Sequence, residues 1–300
     1  MAAFGLRGKS LLALLLAGML ALLPAGLIGW SLLSSIHEHF GEAYARNATL
    51  LSREKIRTPI SRELALSLRL ANSEVTLQWL KDPQDAAKKD LFFREAERYR
   101  QDFRDHAYFI VMLSSLEYYF NGNEEPVSMQ PHYTLNRETA ADSWFFSTLR
   151  DTDNFNINVD SNPELNTTKV WLNMVVKDDS GEVLALAGSG LDLSSFIRDF
   201  IASDEQGVTP MIFDADGAIQ AHQNSNLIAL NSGANADARA GSNLLDMLGS
   251  ESEKQMVIQA MQAVKANPDD VRIQPITLDG NAQLLALSYI PELNNNFIQR

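Results

Sequence analysis

The chain has 300 residues, 45% of them hydrophobic and 21% charged, and its 25 Lys and Arg against 38 Asp and Glu give a formal net charge of −13. That length allows one large domain or two of ordinary size, and the acidic balance excludes nucleic acid as a partner, because binding phosphate needs clustered Lys and Arg. There is no cysteine, which removes disulfides, Cys-based zinc sites and thiol catalysis together and suits a chain that works outside the cytoplasm.

Residues 1–10 carry Arg7 and Lys9 and read as a cytoplasmic N-terminus. Residues 11–33, "LLALLLAGMLALLPAGLIGWSLL", hold no charge over 23 positions. At 1.5 Å per residue this is enough to cross a hydrocarbon core of about 30 Å, so a transmembrane helix is expected. The positive-inside rule then puts everything after about residue 35 in the periplasm, with the chain held in a bacterial inner membrane. A cleaved signal peptide is the competing reading, but its apolar core usually spans about 7–15 residues, and an uncleaved anchor fits better.

Residues 34–105 read as a long helical stalk. Ile56, Ile60, Leu64, Leu68 and Ala71, then Val75 and Trp79, keep to one face at spacings of three and four. The part of this stripe around Ile56–Leu68 points to a homodimer seam along the stalk. Thr58-Pro59 predicts a bend or a restart. Lys81-Asp82-Pro83 should end the first long helix, which over roughly 45 residues would rise about 70 Å. A second amphipathic helix, "DAAKKDLFFREAERYRQDFRD", follows.

After Asp105 the pattern shortens to strands. "AYFIVMLSS" and "LEYYFNG" come first, and Asp142–Arg150 reads as a short helix. Three hairpins are then expected around the turns Asp178-Asp179-Ser180-Gly181, Asp214-Ala215-Asp216-Gly217 and Asp279-Gly280. A short helix, "SSFIRDFI", joins the first strand group to the second, and "SEKQMVIQAMQAVKAN" is a helix before the third hairpin. The expected fold class is α+β: the anchor, the stalk and two similar units, 106–200 and 201–300. The chain stops at Arg300 with no second apolar run, so a sensor reading expects further sequence beyond it.

No catalytic constellation emerges. His37-Glu38-His39 does not place two imidazoles on one helix face, and no H-E-x-x-H spacing occurs. Asp214-Ala215-Asp216-Gly217 opens like a calcium loop but lacks its later ligands, and Gly188-Ser189-Gly190 is not a phosphate cradle. No metal or cofactor is expected. The stretch "FNINVD" alternates Asn156, Asn158 and Asp160 with Phe155, Ile157 and Val159, which puts three polar groups on one face if it is a strand. Tyr133, Trp144, Asn158, Asp160, Trp171 and Asp192 form the candidate ligand set, because small-molecule pockets combine aromatic walls with a few oriented polar groups. Phe145 and Phe146 read as core. For Trp144 and Asp192, spacing alone supports core and pocket equally.

Trp144-Phe145, a middle acid and "GLDLS", set after a membrane helix and a long exported helix, resemble a double Cache sensor domain. Such domains form the extracytoplasmic half of chemoreceptors, histidine kinases, diguanylate cyclases and some membrane phosphatases. "YRQDFRDHAYFIVMLSS", "YTLNRETAADSWFFSTL" and "GVTPMIFDADGAIQAH" are similar to the sensor half of membrane-bound PP2C-type serine/threonine phosphatases that control aggregation and biofilm formation. The resemblance implies two PAS-like subdomains, the first membrane-distal and ligand-binding, and no catalysis within these residues. In amino-acid-binding members an Arg just before the aromatic pair meets the ligand carboxylate. Here the nearest is Arg137, so a cationic or neutral ligand is expected. Two rivals stay open: the sensor half of a diguanylate cyclase or chemoreceptor, and a complete membrane-anchored binding or adaptor protein. An anchored hydrolase would need an acid or His dyad that the sequence does not offer.

Overall fold

The computed structural model describes residues 6–123, 127–162, 167–201, 207–228, 243–278, 280–293 and 295–299. A single helix, α1, runs from Leu6 to Ala71. The bend expected at Thr58-Pro59 is replaced by unbroken helix. Pro59 removes one backbone donor, but Ile56 and Ile60 on either side of it are completely buried and hold both halves to one surface. Among the described residues no helix is long and apolar enough to cross a membrane, and the side chains of residues 6–17 lie outside the described set. Between Met19 and Phe40, α1 exposes Leu20, Leu22, Ile28, Trp30 and other large apolar side chains.

The chain separates into residues 1–48 and 49–300. Among the described residues, the second unit contains every strand. The long helix also ends earlier than Lys81. It stops at Ala71, and α2, Glu74–Lys81, restarts from Ser73, whose side chain accepts from the Val75 amide at 3.2 Å. Thr76 Oγ1 then donates to the Leu70 carbonyl at 2.7 Å. α3 spans Ala86–Asp102, capped by Asp85.

β1 (Tyr108–Met112), β2 (Glu117–Asn121) and β3 (Tyr133–Thr134) precede a short helix, α4 (Ser143–Asp151). β4 (Phe155–Asn162), β5 (Thr167–Lys177) and β6 (Val183–Asp192) complete a six-stranded antiparallel sheet in the order β3-β2-β1-β6-β5-β4. α5 (Leu193–Phe196) and a π-helical turn, Ile197–Ile201, lead out of it. The second sheet has the order β8-β7-β11-β10-β9, from β7 (Pro210–Phe213), β8 (Ile219–His222), β9 (Arg272–Leu278), β10 (Asn281–Ile290) and β11 (Asn295–Gln299). α6, Glu251–Ala266, packs on it through Val257, Met261 and Val264. The third expected turn includes Asp279, which lies outside the described residues.

The stripe predicted as a dimer seam is spent inside the molecule. Ile56, Ile60 and Leu64 join Tyr108, Ile110, Leu172 and Met174 of the first sheet and Ile212, Ala221 and Ile290 of the second in one core. Burying Ile56, Ile60 and Leu64 against two sheets takes most of the stripe away from any partner helix, and only Leu68 is left half-buried.

Candidate functional site

β4 alternates as expected. Phe155, Ile157 and Val159 face the core beneath α1, while Asn156, Asn158 and Asp160 face the other way. The ladders extend that polar face across the sheet, because directly opposed residues share a face. Asp160 lies opposite Lys169, and Lys169 opposite Asp192. Asn158 lies opposite Trp171, and Trp171 opposite Gly190. Farther along, Asn173 opposes Gly188, Gly188 opposes Phe109, and Val111 opposes Tyr118, which pairs with Tyr133.

All six sequence-predicted residues therefore sit on or against one sheet face. Trp144, in the first turn of α4, meets it edge-on, 6.1 Å from Phe109 and 6.4 Å from Tyr118 between ring centroids. Tyr133 stacks on Tyr118 at 4.8 Å. Trp171 meets Phe109 at 5.6 Å and donates its indole N–H to the Asp160 carbonyl at 3.2 Å. Its ring lies against Gly190, where a Cβ would come within 2.8 Å of Trp171 and 2.9 Å of Lys169. Glycine is what lets both side chains lie flat there. Burial pushes the Tyr118 phenol well above its ordinary range, so it stays neutral.

The polar members are oriented by neighbours. Asn158 and Asn156 both accept from the Asn173 side-chain amide, at 2.7 and 2.9 Å. Asp160 is buried. Asp192 caps α5, accepting from the Ser195 amide at 2.8 Å. Its own backbone amide donates to Asp105.

Three contributors were not anticipated. Lys169 and Asn173 sit two residues either side of Trp171, so the alternation that placed Trp171 on this face places them too. Asp105 has no such signal. It comes from the turn before β1, and its carboxylate lies 3.5 Å from Lys169 Nζ. Arg137, the nearest arginine before the aromatic pair in sequence, stacks on Phe146 at 4.4 Å. A face with aromatic walls, two acids and one lysine between them can hold a ligand ammonium on Asp160 or Asp192 and a ligand acid on Lys169.

Hollows of two kinds occur elsewhere among the described residues. A cavity of about 20 Å³ between the sheets, bordered by Asn158, Val170, Phe196, Ile212 and Gln220, has room for about one water. An open groove of about 510 Å³ between α1 and α3 is lined by Leu66, Arg69, Leu91, Arg98, Tyr99 and other residues, none from the predicted set.

No protein-family model and no curated protein matches the chain. Solved structures do. The extracellular domain of the putative histidine kinase mmHK1S-Z2 superposes with a TM-score of 0.58 at 12% identity, covering 88% of this chain and 96% of its own. The sensory domain of the Campylobacter jejuni chemoreceptor Tlp3 gives 0.57 at 11%, covering 89% and 95%. The ligand-binding domain of the Pseudomonas fluorescens chemoreceptor CtaA, in complex with L-isoleucine, gives 0.56 at 14%, covering 88% and 93%. The chain has the fold of these sensor domains. At such identities the likeness is one of architecture, and it extends over 88–89% of the chain.

Proposed function

We propose that the chain is the extracytoplasmic small-molecule sensor of a bacterial transmembrane signalling protein, with its ligand on the polar-aromatic face of the first sheet. The observation that carries this reading is the gathering of Tyr133, Trp144, Asn158, Asp160, Trp171 and Asp192 on that one face. The shared architecture with chemoreceptor and histidine kinase sensor domains supports it. Three acids, Asp105, Asp160 and Asp192, to one lysine favour a cationic or neutral ligand. Residues 11–33 anchor the chain in the inner membrane, and the first sheet belongs to the membrane-distal unit. The protein is a homodimer, through surfaces other than the Ile56–Leu64 stripe. The output is a cytoplasmic PP2C-type phosphatase governing biofilm and aggregation, on the resemblance to the sensor half of the membrane-bound phosphatase SiaA. A chemoreceptor or diguanylate cyclase output is the second reading, and the chemoreceptor domains among the structural neighbours support the first of these.

A thermal-shift screen of the full chain in detergent micelles tests the ligand reading, using amines, amino acids, carboxylates and purines. A ligand present at 100 times its Kd adds about 2.7 kcal/mol to stability, so a binder raises the melting temperature by several degrees. The same compound should leave Asp160→Asn unshifted. No responder in the panel, or an equal shift in D160N, would sink the assignment of this face.

A further inference from the structure

The candidate ligand face is joined to α1 through two residues of one turn. Asp105 accepts the backbone N–H of Asp192 and lies 3.5 Å from Lys169 Nζ, so it holds two neighbours on the polar row of the sheet. Those neighbours oppose each other in the β5–β6 ladder, and Lys169 opposes Asp160 on the other side. The residue before Asp105 turns the other way. The backbone N–H of Arg104 donates to both oxygens of Glu63 on α1, at 3.2 and 3.3 Å, and the Arg104 guanidinium pairs with Asp199 at 2.6 Å.

Glu63 is only 2% exposed. Its remaining partner is Arg62, at 2.8 Å, and Arg62 itself donates to the Asp102 carbonyl at 2.6 Å. Burial pushes the Glu63 carboxyl above its ordinary value against the pull of the Arg104 amide and Arg62, and the Asp105 charge adds to the rise. Glu63 thus feels the Asp105 charge and also accepts from the turn that carries it. Every link from the sheet face to the helix is a hydrogen bond, an ion pair or a peptide bond.

We infer that Asp105 is a positioning residue: it sets Lys169 and the Asp192 backbone on the ligand face and ties their placement to α1 through the Arg104 amide and Glu63. The inference rests on the reading of this face as the ligand site. A ligand acid that draws Lys169 away, or an ammonium that takes up Asp192, changes what Asp105 must balance and moves the turn on which Glu63 depends. Such a network transmits only if it has two arrangements that the two ends favour differently. A purely local role, in which Asp105 stabilises its own turn, predicts no response at α1 to a change at Lys169.

Hydrogen exchange on the full chain in detergent micelles separates these roles without any ligand. Lys169→Met should change the exchange of α1 amides around Glu63, and of Arg104, several-fold relative to wild type. In the D105N background the same K169M substitution should add no further change there, and D105E should restore part of the response. The proposal is overturned if K169M leaves α1 at Glu63 unchanged, or if the change is as large in D105N as in wild type. It is equally overturned if amides of β9 and β10 in the second sheet change as much as those near Glu63, since that reports general destabilisation. Because no ligand enters this measurement, its failure is distinguishable from a failure of the thermal-shift screen.

Discussion

Glu63 shows what burial does to a single carboxyl. Water is nearly excluded from it, so its charged form is penalised, and the Arg104 amide and Arg62 guanidinium recover only part of the loss. Its folded pKa therefore lies above the ordinary 4.5. With the folded value above the unfolded one, the folded state holds this proton more tightly. The stability from this group is full below the unfolded pKa and is lost as pH rises through the folded pKa. Glu63→Gln removes that dependence while keeping an oxygen for the Arg104 amide. The difference in melting temperature, variant minus wild type, should grow as pH rises above about 4.5 and level off once the folded pKa is passed. A difference that stays flat across that window would show that Glu63 is not protonated in the fold. The candidate acids at the ligand face were legible by residue type and spacing, since period-two alternation alone places Asn158 and Asp160 together. Asp105 and Glu63 were not, because nothing local marks an acid whose partner lies 41 or 87 positions away.

Among the elements, β6 shows how tightly the first sheet is drawn together. A Cβ at Gly188 would lie 1.8 Å from the Leu172 carbonyl oxygen of β5 and 3.2 Å from the Phe109 ring of β1. The first contact is with backbone, which cannot swing aside. Gly188→Ala should therefore cost about 1–3 kcal/mol in urea denaturation, the range for forced overpacking. A loss below about 0.5 kcal/mol, the ordinary level for a surface change, would mean that the strands part easily here. α3, α4, α6 and the turns at Asp178–Gly181 and Asp214–Gly217 were readable from caps, periodicity and Asp-Gly chemistry. Two element-level features were not. The break at Asn72-Ser73 was masked by an apolar period that continues in phase into α2. β11 was hidden by its polar lead-in, "ELNNNF". It is a central strand between β7 and β10, and that position is set by pairing with distant strands rather than by its own composition.

For residues 49–300 as a whole, α1 supplies the common wall. The same core cluster takes in Ile56, Ile60 and Leu64 with side chains of both sheets. The polar contacts of this stretch are weaker anchors. The Arg57–Glu292 pair is close, at 2.6 Å, but Arg57 is 41% exposed, and solvent screens it. Ile60→Ala should cost about 2–5 kcal/mol, with a cavity left at the wall, whereas Arg57→Ala should cost less than about 1 kcal/mol. Urea denaturation of the two variants checks this. Similar losses in both would mean that ion pairs, not the apolar stripe, bind α1 to the sheets.

Local pattern was enough for α3, α4 and α6, the turns at Asp178–Gly181 and Asp214–Gly217, the strand alternation and the grouping of Asn156, Asn158 and Asp160, because each depends on sterics and periodicity within a few residues. The acidic charge and the lack of cysteine also narrowed the chemistry before any fold was known. Only the tertiary structure decided that Trp144 meets the same face as Trp171 and Asp192, that Lys169 stands between two acids there, and that the α1 stripe serves the molecule's own core. These are matters of register and packing between segments far apart in the chain. They are settled by the collective burial of apolar surface, which no short stretch of residues records.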